Sequence, residues 1–115
     1  MRLDIKWRRE GNIAIAALLG RIDSSNSNDF LAMTEEGVVP GDGALLLDFE
    51  KVSFISSAGL RICLILAKKL SSSGQAFAMC SLSEFNREVV AVSGFDKLIS
   101  VHTTVEAALS SLQSS

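Results

Sequence analysis

The chain has 115 residues, of which 48% are hydrophobic and 21% are charged, and its formal net charge is −2. This length and composition are typical of one globular domain with a hydrophobic core, and they exclude global disorder. The slightly acidic balance argues against nucleic-acid binding, which needs clustered positive charge. No apolar run approaches the ~20 residues of a membrane span and no secretory segment opens the chain, so we expect a cytoplasmic protein that does not bind membranes.

The first third of the sequence predicts a β-hairpin and a short helix. Residues 2–8 alternate apolar and charged side chains, the period of a half-buried strand, and a turn signal at residues 10–12 precedes a second strand at residues 13–19. Residues 24–28 are rich in N-capping side chains, which predicts a helix that ends by Gly37.

The rest of the sequence predicts alternating strands and helices. A third strand, residues 44–49, begins with four consecutive apolar residues, which suits a central strand covered on both faces. The later elements are a helix over residues 57–70, a strand over 75–80, a helix over 84–92, a strand over 98–101 and a last helix from 105. This order predicts an α/β fold, a single domain over residues 1–115 with a mixed, mostly parallel sheet of about five strands and about four helices.

Two serines, Ser56 and Ser57, open the helix after the third strand. Unpaired backbone N–H groups and the positive end of the helix dipole favour an added anion at such a position. A hydroxyl there can cap the helix, accept a phosphate, or do both, and capping alone contributes ~1 kcal/mol. Capping accounts for one serine, but not for the pair together with Gly59.

Residues 48–62, Asp-Phe-Glu-Lys-Val-Ser-Phe-Ile-Ser-Ser-Ala-Gly-Leu-Arg-Ile, resemble the signature of the STAS domain found in bacterial anti-sigma factor antagonists. The segments 20–23, 93–99 and 105–109 resemble further motifs of that family in the same order. The resemblance implies the STAS fold and a signalling role in transcription regulation. In that role the chain binds an anti-sigma factor, a serine kinase of the histidine-kinase-like ATPase type. Phosphorylation of a serine weakens the complex, and a PP2C-type phosphatase resets this partner switch.

The resemblance also assigns residues. Ser57 aligns with a phosphorylated position and Ser56, which stands where many members carry Asp, is the alternative acceptor. Members phosphorylated just before the glycine have no counterpart here, because that position is Ala58. Asp23 is expected near the phosphorylated serine and the partner surface. The expected partner-binding residues are Asp23, Ser56, Ser57, Ala58, Gly59, Arg61, Ile62 and Ile65.

The helix after Ser57 suggests part of that surface independently. A turn of 100° per residue divides its side chains between two faces. The expected core face carries Leu60, Cys63, Leu64, Ala67 and Leu70, and the other face carries Arg61, Ile62, Ile65, Lys68 and Lys69. Isoleucines among cations suggest a protein-binding patch, unless a neighbouring element covers them.

Groups for catalysis are scarce. Ser57 lacks a Gly-x-Ser-x-Gly context, the only histidine, His102, is 45 residues away, and no glycine-rich phosphate loop is present. Cys63 and Cys80 match no zinc spacing, so we expect reduced, partly buried thiols and neither a metal nor a cofactor. We therefore predict a binding protein rather than an enzyme, a monomer or a weak dimer. The alternative is a constitutive STAS binding subunit of a lipid-transport ABC-type complex, which would not be phosphorylated.

Overall fold

The computed structural model describes residues 3–113, and within them five strands form one sheet with four α-helices. The strands are β1 (Asp4–Glu10), β2 (Ile13–Ile22), β3 (Ala44–Ile55), β4 (Ala76–Cys80) and β5 (Ser100–His102). The helices are α1 (Ser27–Gly37), α2 (Ser57–Ser72), α3 (Glu84–Ser93) and α4 (Val105–Gln113), with a short 3-10 turn at Phe95–Lys97. The predicted fold class, element order and N-terminal hairpin are confirmed. The predicted start of the first strand at residue 2 lies outside the described residues.

The sheet has the order β1-β2-β3-β4-β5, with β1 antiparallel to β2 and every other pair parallel. Successive residues of β3 point to opposite faces: Leu45 and Leu47 pack into the cluster that includes residues of α1, α2 and α3, while Ala44 and Leu46 pack beneath α4. The expectation of a central strand covered on both faces is therefore confirmed. Within residues 3–113, no helix is both long enough and apolar enough to cross a membrane.

The third strand is longer than the sequence predicted, because it continues past residue 49 to Ile55 and Asp48 lies within it. Two register shifts in the β2–β3 pairing break the strict alternation, so that buried side chains recur at Phe49, Val52 and Ile55, three residues apart. Glu50, Lys51 and Ser53, which lie between them, are polar and resemble a turn in sequence. In the structure the strand continues through these residues, and only Ser56 separates it from α2.

The last strand is also shifted, from the predicted residues 98–101 to Ser100–His102. Leu98 follows the 3-10 turn rather than beginning the strand, and 64% of its surface is exposed. His102 is accordingly the final residue of β5, where its Nε2 lies 2.8 Å from the hydroxyl of Ser100.

A buried carboxylate orders the loop before β3. Asp42 is only 5% exposed and accepts hydrogen bonds from Nε and Nη2 of Arg9 at 2.8 Å each and from the Val39 backbone N–H at 2.9 Å. The hydrogen bond with the Arg9 guanidinium holds the pKa of Asp42 below its usual value. This pair fixes the loop against β1 and so sets where β3 enters the sheet.

Both cysteines are free, buried thiols, Cys63 within α2 and Cys80 at the end of β4. Burial raises the pKa of Cys63 to about 12 and that of Cys80 to about 11. They therefore stay protonated at neutral pH and fill the core as small apolar groups.

Candidate functional site at the start of helix α2

The first of the two serines closes the end of the helix. Ser56 is the N-cap of α2, and its side-chain oxygen accepts a hydrogen bond from the Gly59 backbone N–H at 3.2 Å. Its carbonyl accepts from the Leu60 N–H, and its own N–H donates to the carbonyl of Ile22, each at 2.9 Å. Ser56 thus joins the end of β2 to the first turn of α2, and its hydroxyl oxygen already accepts one hydrogen bond.

The second serine is placed differently. Ser57 is the first residue of α2 and is exposed, and its hydroxyl makes no hydrogen bond to any residue between 3 and 113. The backbone N–H groups of the first helical turn have no partners within the helix, so the dipole and these donors favour negative charge on that hydroxyl. The geometry gives capping to Ser56 and leaves the hydroxyl of Ser57 free for a reaction.

Gly59 explains how the turn can lie so close to the sheet. A Cβ atom at this position would stand 2.7 Å from Cγ2 of Ile22 and 2.8 Å from Cγ1 of Ile55. Both isoleucines are fully buried, so they leave no room for a side chain. Only glycine lets the first turn of α2 rest directly on the ends of β2 and β3.

Asp23 directly follows Ile22, whose carbonyl accepts a hydrogen bond from the Ser56 N–H, so its backbone lies near this turn in the fold. One carboxylate oxygen accepts hydrogen bonds from the backbone N–H and the hydroxyl of Ser25, and the other accepts from Nε of Arg21 at 3.0 Å. These bonds, first that from the Ser25 hydroxyl, hold the pKa of Asp23 below its usual value. The carboxylate orders its own loop; contact with a partner stays a prediction.

Asn86 of α3 is a site residue that the sequence reasoning missed. Its side chain is fully buried, accepts from the Ile55 N–H and donates to the Val52 carbonyl, each at 3.2 Å. Because β4 pairs with β3 only as far as Asp48, this carboxamide takes the place of the missing strand beside the far end of β3. The sequence did offer one signal for this role, because Asn86 is a polar residue on the side of the predicted helix that faces the core.

An aromatic contact extends the site from β2 to α3. The guanidinium carbon of Arg21 lies 5.3 Å from the ring centroid of Phe54, and the rings of Phe54 and Phe85 have centroids 6.1 Å apart. The cation over the ring and the tilted ring pair are favourable arrangements. Together they place Phe85 beside the serine turn.

A mainly apolar groove of about 340 Å³ lies between α2 and α3. The hydroxyl-bearing Ser57 and the buried Leu60 form one wall; the other is formed by Phe85, Glu88, Val89 and Val92 of α3. The exposed fractions are 58% for Phe85 and 83% for Val92, which are high for apolar side chains. Exposed apolar surface of this kind is typical of a place where another protein binds.

The predicted face of α2 is wrong in one respect that matters for this surface. Ile62 is buried, with 5% of its surface exposed, and Ile65 is half-buried, whereas Arg61 is exposed as expected. Helix α1 packs against α2 on the side that carries Leu66, one turn after Ile62. Ile62 is therefore part of the core cluster rather than of an exposed patch. The exposed apolar side chains beside Ser57 come from α3 instead.

An α/β domain whose central strand leads into a serine-capped helix, with free apolar surface beside the second serine, has the features of a protein-binding module. The chain belongs to the STAS domain family, whose model matches residues 4–108. Over 94 residues it is 36% identical to BtrV of Bordetella bronchiseptica, a candidate anti-sigma factor antagonist, covering 82% of this chain and 81% of BtrV.

Solved structures share the fold. An anti-sigma factor antagonist from Mycobacterium paratuberculosis superposes with a TM-score of 0.88 at 20% identity, covering 97% of this chain and 95% of that chain. The anti-sigma factor antagonist SpoIIAA in its unphosphorylated form superposes with a TM-score of 0.76 at 18% identity, covering 97% and 98%. At these identities the likeness establishes the fold.

Proposed function

We propose that the protein is an anti-sigma factor antagonist whose binding is switched by phosphorylation of Ser57. The observation that carries the proposal is the free, exposed hydroxyl of Ser57 at the start of α2, beside an apolar groove. Membership of the STAS family and the 36% identity to BtrV support this role. The engaged hydroxyl of Ser56 makes it the weaker acceptor.

In this proposal the unmodified chain binds an anti-sigma factor that is also a serine kinase of the histidine-kinase-like ATPase type, and the sigma factor is released. The kinase transfers the γ-phosphoryl group of ATP to the Ser57 oxygen; ADP leaves and the hydroxyl proton passes to a base of the kinase. A PP2C-type phosphatase then hydrolyses the phosphoserine. The chain is a substrate that supplies the hydroxyl and the surface around it, and it performs no catalysis itself.

The switch acts on the interface rather than on the fold. A phosphate adds about −1.5 to −2 charge, and at the first residue of a helix that charge is stabilised by ~0.3–1 kcal/mol. The modified domain therefore stays folded. A dianion in place of a small neutral hydroxyl would reduce the affinity for the partner by ~2–3 kcal/mol, which is roughly 30- to 150-fold.

The test begins with affinity capture of the tagged chain from its own cells and identification of the co-purified ATPase by mass spectrometry. Titration of that purified ATPase should give at least ~30-fold weaker binding for Ser57→Asp, by the affinity change worked out above, and unchanged binding for Ser57→Ala. Both variants should melt near the wild type.

Ser56→Ala is the matched control in the same turn. It should lose about 1 kcal/mol of stability with its cap, and its affinity for the ATPase shows what the loss of a hydroxyl in this turn does without an added charge. Equal affinity for Ser57→Asp and wild type would contradict the switch. Co-purification of a transporter ATPase that binds all three variants alike would instead favour the constitutive lipid-transport subunit.

A further inference from the structure

The two sides of α3 are used differently. One side packs into the core through Asn86 and Val90, which are buried. The other carries Phe85, Glu88, Val89 and Val92, spaced i, i+3, i+4 and i+7, and forms a wall of the groove beside Ser57. Val89 is half-buried against the core, whereas Phe85 and Val92 are exposed, at 58% and 83%. The domain therefore presents apolar side chains on this face of α3 that its own fold covers only in part.

We infer that this α2–α3 groove holds an amphipathic helix of the partner, which inserts an apolar side chain between α2 and the Phe85 and Val92 side chains of α3 and sets a Lys or Arg against Glu88. The inference rests on the proposed function, and it names the chemistry of the segment that the partner contributes. Glu88 is the one charged residue among those that line the groove, so a cation is the complementary group.

The structure of the groove walls favours a helical partner segment over an extended one. Both walls are helices, whose backbone N–H and C=O groups are already paired along their length, so an extended segment would find no strand edge to pair with. An apolar helix face, in contrast, fits between two helices through side chains alone. A volume of about 340 Å³ suffices for one or two large side chains, the size of a central anchor in a small interface.

The same groove links binding to the phosphate. Ser57 and Glu88 both line the groove. A phosphoserine would therefore place a dianion and a carboxylate in the same small apolar space, from which the bound partner must exclude water. Removing water from two like charges is far more costly than removing it from one neutral hydroxyl. The groove therefore accepts the helix only when Ser57 is unmodified.

The experiment measures the affinity of groove variants for the purified ATPase identified above. Glu88→Lys should weaken binding about tenfold, whereas Glu84→Lys, the same charge change on the same helix but outside the groove, should stay within about twofold. Val92→Ser should weaken binding about tenfold, and Leu98→Ser, at another exposed apolar side chain outside the groove, should not. Circular dichroism melting of all four variants checks that each one folds.

The outcomes separate this inference from the proposed function. If Glu88→Lys and Val92→Ser both lose affinity and neither control does, the result supports the groove as the binding site of the partner helix. Wild-type affinity of Glu88→Lys and Val92→Ser, together with weak binding of Ser57→Asp, overturns the groove and leaves the switch standing. Wild-type affinity of Ser57→Asp as well overturns both.

Discussion

Replacing Gly59 by alanine tests how the serine turn is held against the sheet. Alanine in a helix is normally favoured over glycine by ~1 kcal/mol, so the ordinary expectation is a more stable protein. Here the new Cβ would meet Ile22 at 2.7 Å and Ile55 at 2.8 Å, where ordinary contacts are 3.4–4 Å. Neither isoleucine can yield towards solvent, because both are fully buried.

The magnitude follows from these two contacts. Forcing a methyl group into a packed core costs ~1–3 kcal/mol, and the helix preference of alanine offsets ~1 kcal/mol of it. We expect a net destabilisation of about 1 kcal/mol, seen as a lower urea midpoint with an unchanged slope and a melting temperature about 4 °C lower. The sign, opposite to the usual effect of this substitution, is the sharper part of the prediction.

Gly41→Ala provides the control, since a Cβ at Gly41 would have no atom within 4 Å. Its stability should stay within about 0.5 kcal/mol of the wild type. If Gly59→Ala proved as stable as the wild type or more stable, while Gly41→Ala behaved as expected, the close approach of α2 to β2 and β3 would be refuted.

Three further predictions concern groups that hold the domain together. Asn86→Ala should cost about 2–4 kcal/mol in urea unfolding, because it leaves two buried backbone groups of β3 unpaired; a loss below about 0.5 kcal/mol would contradict the bridging role. The pairing of Asp42 with Arg9 lowers the pKa of Asp42 in the folded state, so its stabilisation is fully present above ~3.9 and is lost as the pH falls through the lowered value. The stability difference between wild type and Asp42→Asn should thus be large at pH 7 and shrink below about pH 4, and an equal difference at pH 7 and pH 2 would speak against it. Cys63 and Cys80 should react with a thiol reagent only after denaturation, because burial raises the pKa of both thiols; rapid labelling of the native protein at pH 8 would disprove their burial.

The order of the elements was predictable because each hydrophobic segment shows its own period and is bounded by turn or capping residues. The serine turn was predictable too, since N-caps are local features and Ser56 has its partner only three residues away. The end of β3 was not, because the register shifts that extend it arise from its pairing with β2.

The sequence alone could not identify which face of α2 is buried. The helix is apolar on more than one side, with Ile62, Leu64, Ile65 and Leu66 in nearly unbroken succession, so periodicity alone selects no single face. Long-range packing decides that Ile62 is buried, since it belongs to the core cluster that the sheet and the helices form together. The same limit applies to Asn86, whose partners in β3 are more than thirty residues away.

The most direct test of the proposed switch is phosphosite mapping on the protein isolated from its own cells. Trypsin should release residues 52–61, a peptide that contains Ser53, Ser56 and Ser57, so fragmentation has to place the added phosphate on one of the three hydroxyls. We expect a phosphate on Ser57 in a fraction of the molecules that changes with growth conditions, and no phosphate at this position in Ser57→Ala. An unmodified peptide under every growth condition, with a transporter ATPase co-purifying instead, would contradict it.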